Sequence, residues 1–181
     1  IEFLTTENKK LKEILDTSEI EKSSNILAKV LLDKESPFLK SLIINRGSSS
    51  GIIKGMPVLE GNNLVGRIVE VNYLSSRVLL LSDLNSKIPV IIEPNEVFSI
   101  LSGTGEKKGV IQYSKKYEDI KGESIIYTSG AGNLFKAGIP IGKINENDSI
   151  EEKKVEFFSD FSQLRFVKVT SFTKKEAKWQ I

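Results

Sequence analysis

The 181-residue chain contains no cysteine and no histidine. Without cysteine there are no disulfides, thiolate metal sites or cysteine nucleophiles. Without histidine there is no Ser-His-Asp triad, no usual zinc ligand set and no side chain that titrates unperturbed near neutral pH. Carboxylate or lysine chemistry is still open to an enzyme in principle. Long hydrophobic runs are missing too: "VLLLS" and "IPVII" are far too short to cross a bilayer. Nor is there an excess of one charge, since 26 basic residues face 24 acidic ones and the net charge is +2. No global field therefore draws the chain to nucleic acid.

What is present suits a folded domain. A hydrophobic content of 39% with 28% charged residues lies in the range of globular proteins rather than disordered ones. The length accommodates one ordinary domain or two small ones. The chain starts at Ile1 without a methionine or a signal-peptide pattern, so the expectation is a piece of a longer protein whose upstream part carries an anchor or signal.

Residues 1–23 begin "IEFLTTENKKLKEILDTSEIEK", with neither glycine nor proline. With Ile1 at heptad position a, Leu4 falls at d, Asn8 at a, Leu11 at d and Leu15 at a. An apolar seam of period 3.5 with one asparagine at an a position favours a parallel two-stranded coiled coil. The segment is predicted to be the end of a dimerising helix with Leu4, Asn8, Leu11 and Leu15 as its seam. Phe3 and Ile14 lie off that seam, which leaves a surface helix packed on its own domain as the other reading.

Beyond Asn25 the period shortens. "ILAKVLL", "SLIIN", "MPVLE", "NLVGRIVEV", "SRVLLLS" and "KIPVIIE" are followed by "VFSIL", "GVIQY", "ESIIYTS", "GIPIGKI", "KVEFF" and "LRFVKVT". Twelve short β-branched runs divided by glycine, proline, asparagine and serine indicate a mainly β protein of sandwiches or small barrels. Two roughly six-stranded units fit best, predicted at 24–95 and 96–181, with the chain either finishing the first before the second or crossing back. A partial echo supports two units. "GMPV" at 55–58 matches "GIPI" at 138–141, and "VGRI" at 65–68 matches "IGKI" at 141–144. Gly55, Pro57, Gly66, Gly130, Gly138, Pro140 and Gly142 are read as the residues that shape the turns.

Chemistry-bearing motifs fail on context. A phosphate-binding loop needs Gly-x-x-x-x-Gly-Lys-Ser/Thr between a strand and a helix. "GSSSGIIKG", "GTGEKKG" and "GAGNLFKAG" lack that ending, a following helix, or both. Ser129 in "TSG" is conceivable as a nucleophile, but no lysine stands at a telling spacing, and a strand-end hydroxyl is the plainer reading. Glu151 and Glu152 sit in a charge cluster, and Asp83 reads as a turn-forming residue with Asn85. The lysine pairs at 107–108, 115–116 and 174–175 are interleaved with acids, as on a solvated face. The sequence thus offers no catalytic, cofactor-binding or metal-ligating set.

The order of the turns is specific. "GMPV…LVGRIVEV…SSRVLLLSD" followed by "TSG…F…GIPIG" resembles the soluble part of the MreC family, the rod shape-determining proteins of bacteria, over nearly all of residues 26–170. The resemblance implies two small β-barrels of chymotrypsin-like architecture behind a coiled coil. Upstream it implies an inner-membrane anchor, which would make this region periplasmic or extracytoplasmic. It further implies a non-enzymatic scaffold of the cell-elongation machinery that forms homodimers or filaments. The implied partners are a class B penicillin-binding transpeptidase, MreD and the actin-like MreB. A wall-fragment or peptide-binding β module, and a degenerate two-barrel hydrolase, are the competing readings.

Overall fold

A computed structural model describes residues 4–6, 8, 23–35, 40–112, 123–133, 135–144 and 153–172. Among the described residues twelve strands run in order: β1 (Ser23–Glu35), β2 (Lys40–Ile44), β3 (Pro57–Glu60), β4 (Asn63–Val71), β5 (Ser76–Leu80) and β6 (Lys87–Glu93). They continue with β7 (Val97–Gly103), β8 (Lys108–Gln112), β9 (Ser124–Thr128), β10 (Pro140–Ile144), β11 (Lys154–Phe157) and β12 (Phe166–Phe172). All twelve runs expected from sequence are strands. They close into two six-stranded barrels, β1-β12-β3-β4-β5-β2 and β10-β11-β8-β7-β6-β9. One compact unit, Asn25–Thr170, holds both barrels except the outermost two residues of β1 and of β12, which fall in a second unit, Ile1–Ser24 with Ser171–Ile181.

The expected division at residue 95 is wrong at both ends. β6, before residue 95, pairs with β7 and β9 of the second barrel. β12, near the end of the chain, returns to pair with β3 in the first. The chain does cross back, and the crossing hides a symmetry. Taken from β12, the first ring reads β12-β1-β2-β5-β4-β3; taken from β6, the second reads β6-β7-β8-β11-β10-β9. Each is first-second-third-sixth-fifth-fourth. The barrels share one topology, permuted so that the chain's last strand fills the first barrel's first place.

This correspondence equates β4 with β10, and with them the "VGRI" and "IGKI" echo. In β4 the register skips Val65 between Leu64↔Leu59 and Gly66↔Val58. In β10 it skips Ile141 between Gly142↔Ile126 and Pro140↔Tyr127. The carbonyls of these bulged residues accept from Leu81 N (3.0 Å) and Phe158 N (3.1 Å), one residue past β5 and β11. A Cβ on Gly66 would sit 2.2 Å from the Leu79 carbonyl oxygen, and one on Gly142 2.3 Å from that of Glu156. Gly66 and Gly142 are therefore strand-interior residues rather than the turn residues expected, needed because the neighbouring backbone occupies the space of a side chain.

The other half of the echo is local. Gly55 N donates to Ile68 O (2.8 Å) while Ile68 N donates to Met56 O (2.9 Å); Gly138 N donates to Thr128 O (2.9 Å) while Thr128 N donates to Ile139 O (3.0 Å). Each Gly-apolar pair faces one partner residue, with the glycine at φ 95° and 89°, which is a bulge built on left-handed glycine. Pro57 and Pro140 then open β3 and β10. "GMPV" starts the first strand of its hairpin and "GIPI" the second of its own, so the motif is a shared device at non-equivalent places.

Alternation fills the barrels. Ile88, Val90 and Ile92 of β6 point inward and Pro89, Ile91 and Glu93 outward. Each fully buried aliphatic side chain contributes about 1.5–3 kcal/mol. One core holds Val58, Val65, Ile68, Val78 and Leu80; the other holds Ile88, Val90, Ile126, Ile141 and Val155. Leu59, Leu64 and Leu81 belong to the second core although each adjoins a residue of the first. Phe161 packs against both.

Asp83 fixes the crossing between the barrels. Fully buried, it accepts from Asn85 N (2.7 Å) on one oxygen and from Lys40 N (2.8 Å) on the other. The turn with Asn85 is the one expected, and the bond to β2 is additional. Two outcomes follow. Gly142→Ala should cost about 2–3 kcal/mol in urea unfolding, because the methyl group forces two strands apart. Asp83→Asn should cost about 2 kcal/mol, because the amide nitrogen must face a part-buried N–H and leave it unpaired.

Candidate interaction face and interbarrel cleft

A hydrolase on two barrels would work in the cleft between them, and a cleft of about 520 Å³ is present. Ser41, Ser82, Phe157, Phe158, Ser159 and Asp160 are among its lining. Ser159 Oγ is buried without a hydrogen-bond partner, so no base activates it. Asp160 Oδ1 accepts from Ser162 Oγ (2.6 Å) and Ser162 N (3.0 Å). The Ser162 hydroxyl, its backbone N–H and, more weakly, the charge of Lys107 hold the Asp160 carboxyl below the usual carboxylate range. A carboxylate held low and engaged in its own loop is a poor proton donor and a weak base, and its contact with the Ser162 hydroxyl closes a local turn rather than aiming a nucleophile into the cleft.

Ser129, weighed as a nucleophile and read as a strand-end hydroxyl, does not line this cleft. Its hydroxyl accepts from Ala131 N (3.3 Å) and its N–H donates to Pro89 O (3.2 Å), the strand-end role. Gly130, at φ 73°, starts the turn that follows. Lys107 and Lys108 are exposed, while Glu151, Glu152 and the lysines at 115–116 and 174–175 lie outside the described residues. Of the dimer seam, Leu4 and Asn8 are helical and exposed; Leu11 and Leu15 lie outside the described residues. Among the described residues no group of three acidic side chains is placed to hold a metal ion, and no helix is long and apolar enough to cross a membrane.

The distinctive surface is the outside of the second barrel. Phe98 pairs with Ile91, Ile91 with Tyr127, and Tyr127 with Pro140, so one row of outward side chains crosses β7, β6, β9 and β10. Ile100 opposite Pro89 extends it on one side. On the other, Ile125 stands between Glu93 and Lys143, a border of opposite charges. Phe98 is 67% exposed, whereas its neighbours Val97 and Ser99 are buried. A contiguous apolar face with a charged border marks a place of contact. Sequence reasoning missed it, because the same letters in "VFSIL" and "ESIIYTS" serve the inner and outer sides of the strand.

The family model described as rod shape-determining protein MreC, barrel core, matches residues 30–171. The cell shape-determining protein MreC of Cereibacter sphaeroides is 30% identical over 159 residues, covering 86% of this chain and 53% of that protein. Its counterpart in Caulobacter vibrioides is 33% identical over 150 residues, covering 76% and 43%. The chain thus spans about half the length of the curated relatives it matches. Among solved structures, MreC of Pseudomonas aeruginosa superposes with a TM-score of 0.74 at 29% identity, covering 81% of this chain and 98% of that one. On the matched barrel core, the shared topology and these relatives, the chain belongs to the MreC family of rod shape-determining proteins.

Proposed function

We propose that the chain is a non-enzymatic scaffold that holds a peptidoglycan-synthesising transpeptidase through the outer face of its second barrel. The carrying observation is the apolar row Phe98–Ile91–Tyr127–Pro140 on a closed barrel. A closed barrel has no free strand edge, so a partner must be held by side chains rather than by strand addition. Aromatic residues within a charged border have the composition of interface anchors. A more distant fold neighbour, MreC of Helicobacter pylori, is solved in complex with the penicillin-binding protein PBP2, which supports a partner of this class here. The lack of histidine and cysteine, and the engagement of Asp160 and Ser162 of the cleft in a local turn, support a structural role.

The whole protein is anchored in the inner membrane through an upstream segment, with the barrels on the extracytoplasmic side. It dimerises along Leu4, Asn8, Leu11 and Leu15 and also works with MreD and MreB. These parts rest on the family and on the heptad pattern.

Titration calorimetry of the chain against the extracytoplasmic part of its own organism's class B transpeptidase tests the central reading. Phe98→Asp with Ile125→Asp should weaken binding at least tenfold at unchanged thermal midpoint, since an apolar anchor is replaced by a desolvated charge. Unchanged affinity would remove this face from the interface. In sedimentation of the longer natural protein, Leu11→Asp with Leu15→Asp should convert dimer to monomer; a persisting dimer would move the contact to the barrels.

A further inference from the structure

A second surface lies at one end of the first barrel, where the chain enters it. The β2–β3 loop folds back through the 3-10 turn Ser48–Ser50. That turn is locked to the β4–β5 turn by Ser48 N to Asn72 O (2.9 Å) and Ser49 N to Tyr73 O (3.1 Å). The loop is pressed so close that a Cβ on Gly47 would lie 2.1 Å from the Asn72 oxygen. β1 is fastened to the same loop by Lys29 N to Asn45 Oδ1 (2.8 Å) and Arg46 Nε to Leu27 O (3.2 Å). On this braced support Tyr73 and Leu74 are 71% and 68% exposed, and Leu27 and Ile53 are exposed as well.

Within the described segments at this end the charge is one-sided. Residues 25–31, 45–56 and 72–76 contain Lys29, Arg46 and Lys54 and no aspartate or glutamate. In a chain with 24 acidic residues, that is a local departure from the balance elsewhere. The salt bridge at its margin, Arg77 to Glu70 (2.9 Å), neutralises the nearest carboxylate in β4. Four protruding apolar side chains, three cations and a set of serine hydroxyls form an amphipathic knob.

We propose that this end of the first barrel rests on a lipid surface bearing anionic headgroups. Tyrosine and aliphatic tips are the side chains that settle at the boundary between headgroups and acyl chains. Each nearby cation adds attraction to an anionic surface, whereas a single carboxylate would oppose it. The bracing hydrogen bonds matter because a pre-ordered knob loses little entropy on insertion. A protein groove would accept the apolar tips, but nothing in it requires loops free of acids. The face is separate from the outer side of the second barrel, so the two contacts are compatible.

Vesicle flotation of the chain tests this, with phosphatidylcholine alone against phosphatidylcholine containing about one-third phosphatidylglycerol. Binding should favour the anionic vesicles and fall with salt as the charges are screened. Tyr73→Ser with Leu74→Ser should lower partitioning about tenfold on anionic vesicles, and Lys54→Glu should do so by about the same factor. In a Trp179→Phe background, Leu74→Trp should show blue-shifted emission quenched by brominated lipid. Partitioning of the double-serine variant equal to that of the parent chain, or tryptophan emission unmoved by lipid, would overturn the proposal. So would loss of transpeptidase binding in the double-serine variant of a parent that has no affinity for lipid, which would mark a protein contact instead. Phe98→Asp serves as the control: it should leave vesicle binding intact, so failure here is distinct from failure of the transpeptidase reading.

Discussion

The structure depends on a steric constraint in β4 and β10. One residue is squeezed out of register beside a glycine whose missing side chain admits the neighbouring carbonyl oxygen. In β4 the consequence is direct. At the extra residue, Leu64 and Val65 turn to opposite faces of the strand and are both buried, in different cores. β3 does the same with Val58 and Leu59, and Leu80 at the end of β5 with Leu81 just beyond it. Alternation sends the two members of each pair to opposite faces, and here the outer face packs into the other barrel's core instead of meeting solvent. The two barrels are thereby tied through shared apolar packing, and their contact is continuous with their interiors.

The return of β12 has a related logic. A first barrel completed by the final strand cannot close until the second has been threaded. Two crossings join the barrels, and both are held by local polar bonds: Asp83 in one, Asp160 with Ser162 in the other. Phe161 lies beside the second and packs against both cores. The first barrel thus closes only around a finished excursion through the second, and the two are fixed together at their junction.

Strand positions were legible in the sequence because β-branched runs are punctuated by glycine and proline, and that local code survives folding. Ring membership was not, since pairing is decided by partners distant in the chain; β6 and β12 were misplaced for this reason. The glycines show a finer limit. Gly55 and Gly66 share a letter, but one is chosen for positive φ and the other for lack of a side chain, and only neighbours in space distinguish them. The candidate faces were less legible still. Ile125 and Ile126 are the same residue type one step apart, and the pleat alone sends the first to the surface and the second to the core. The loops bearing Ile53, Tyr73 and Leu74 read as ordinary turns until their hydrogen bonds bring them together.

Closure of both barrels also decides how this molecule can be recognised. Pairing consumes the backbone groups that an open sheet would offer at its edge, so adding a strand is excluded as a mode of binding. Contact must pass through side-chain faces, and faces of different chemistry occur in different places. The second barrel displays an apolar row bordered by Glu93 and Lys143, suited to an equally ordered protein surface. The first displays a protruding cationic knob, suited to a yielding and negatively charged one. Since the barrels share buried residues at their junction, neither face can be reoriented without disturbing both cores. A scaffold needs that property more than it needs affinity: the position of one contact constrains the position of the other.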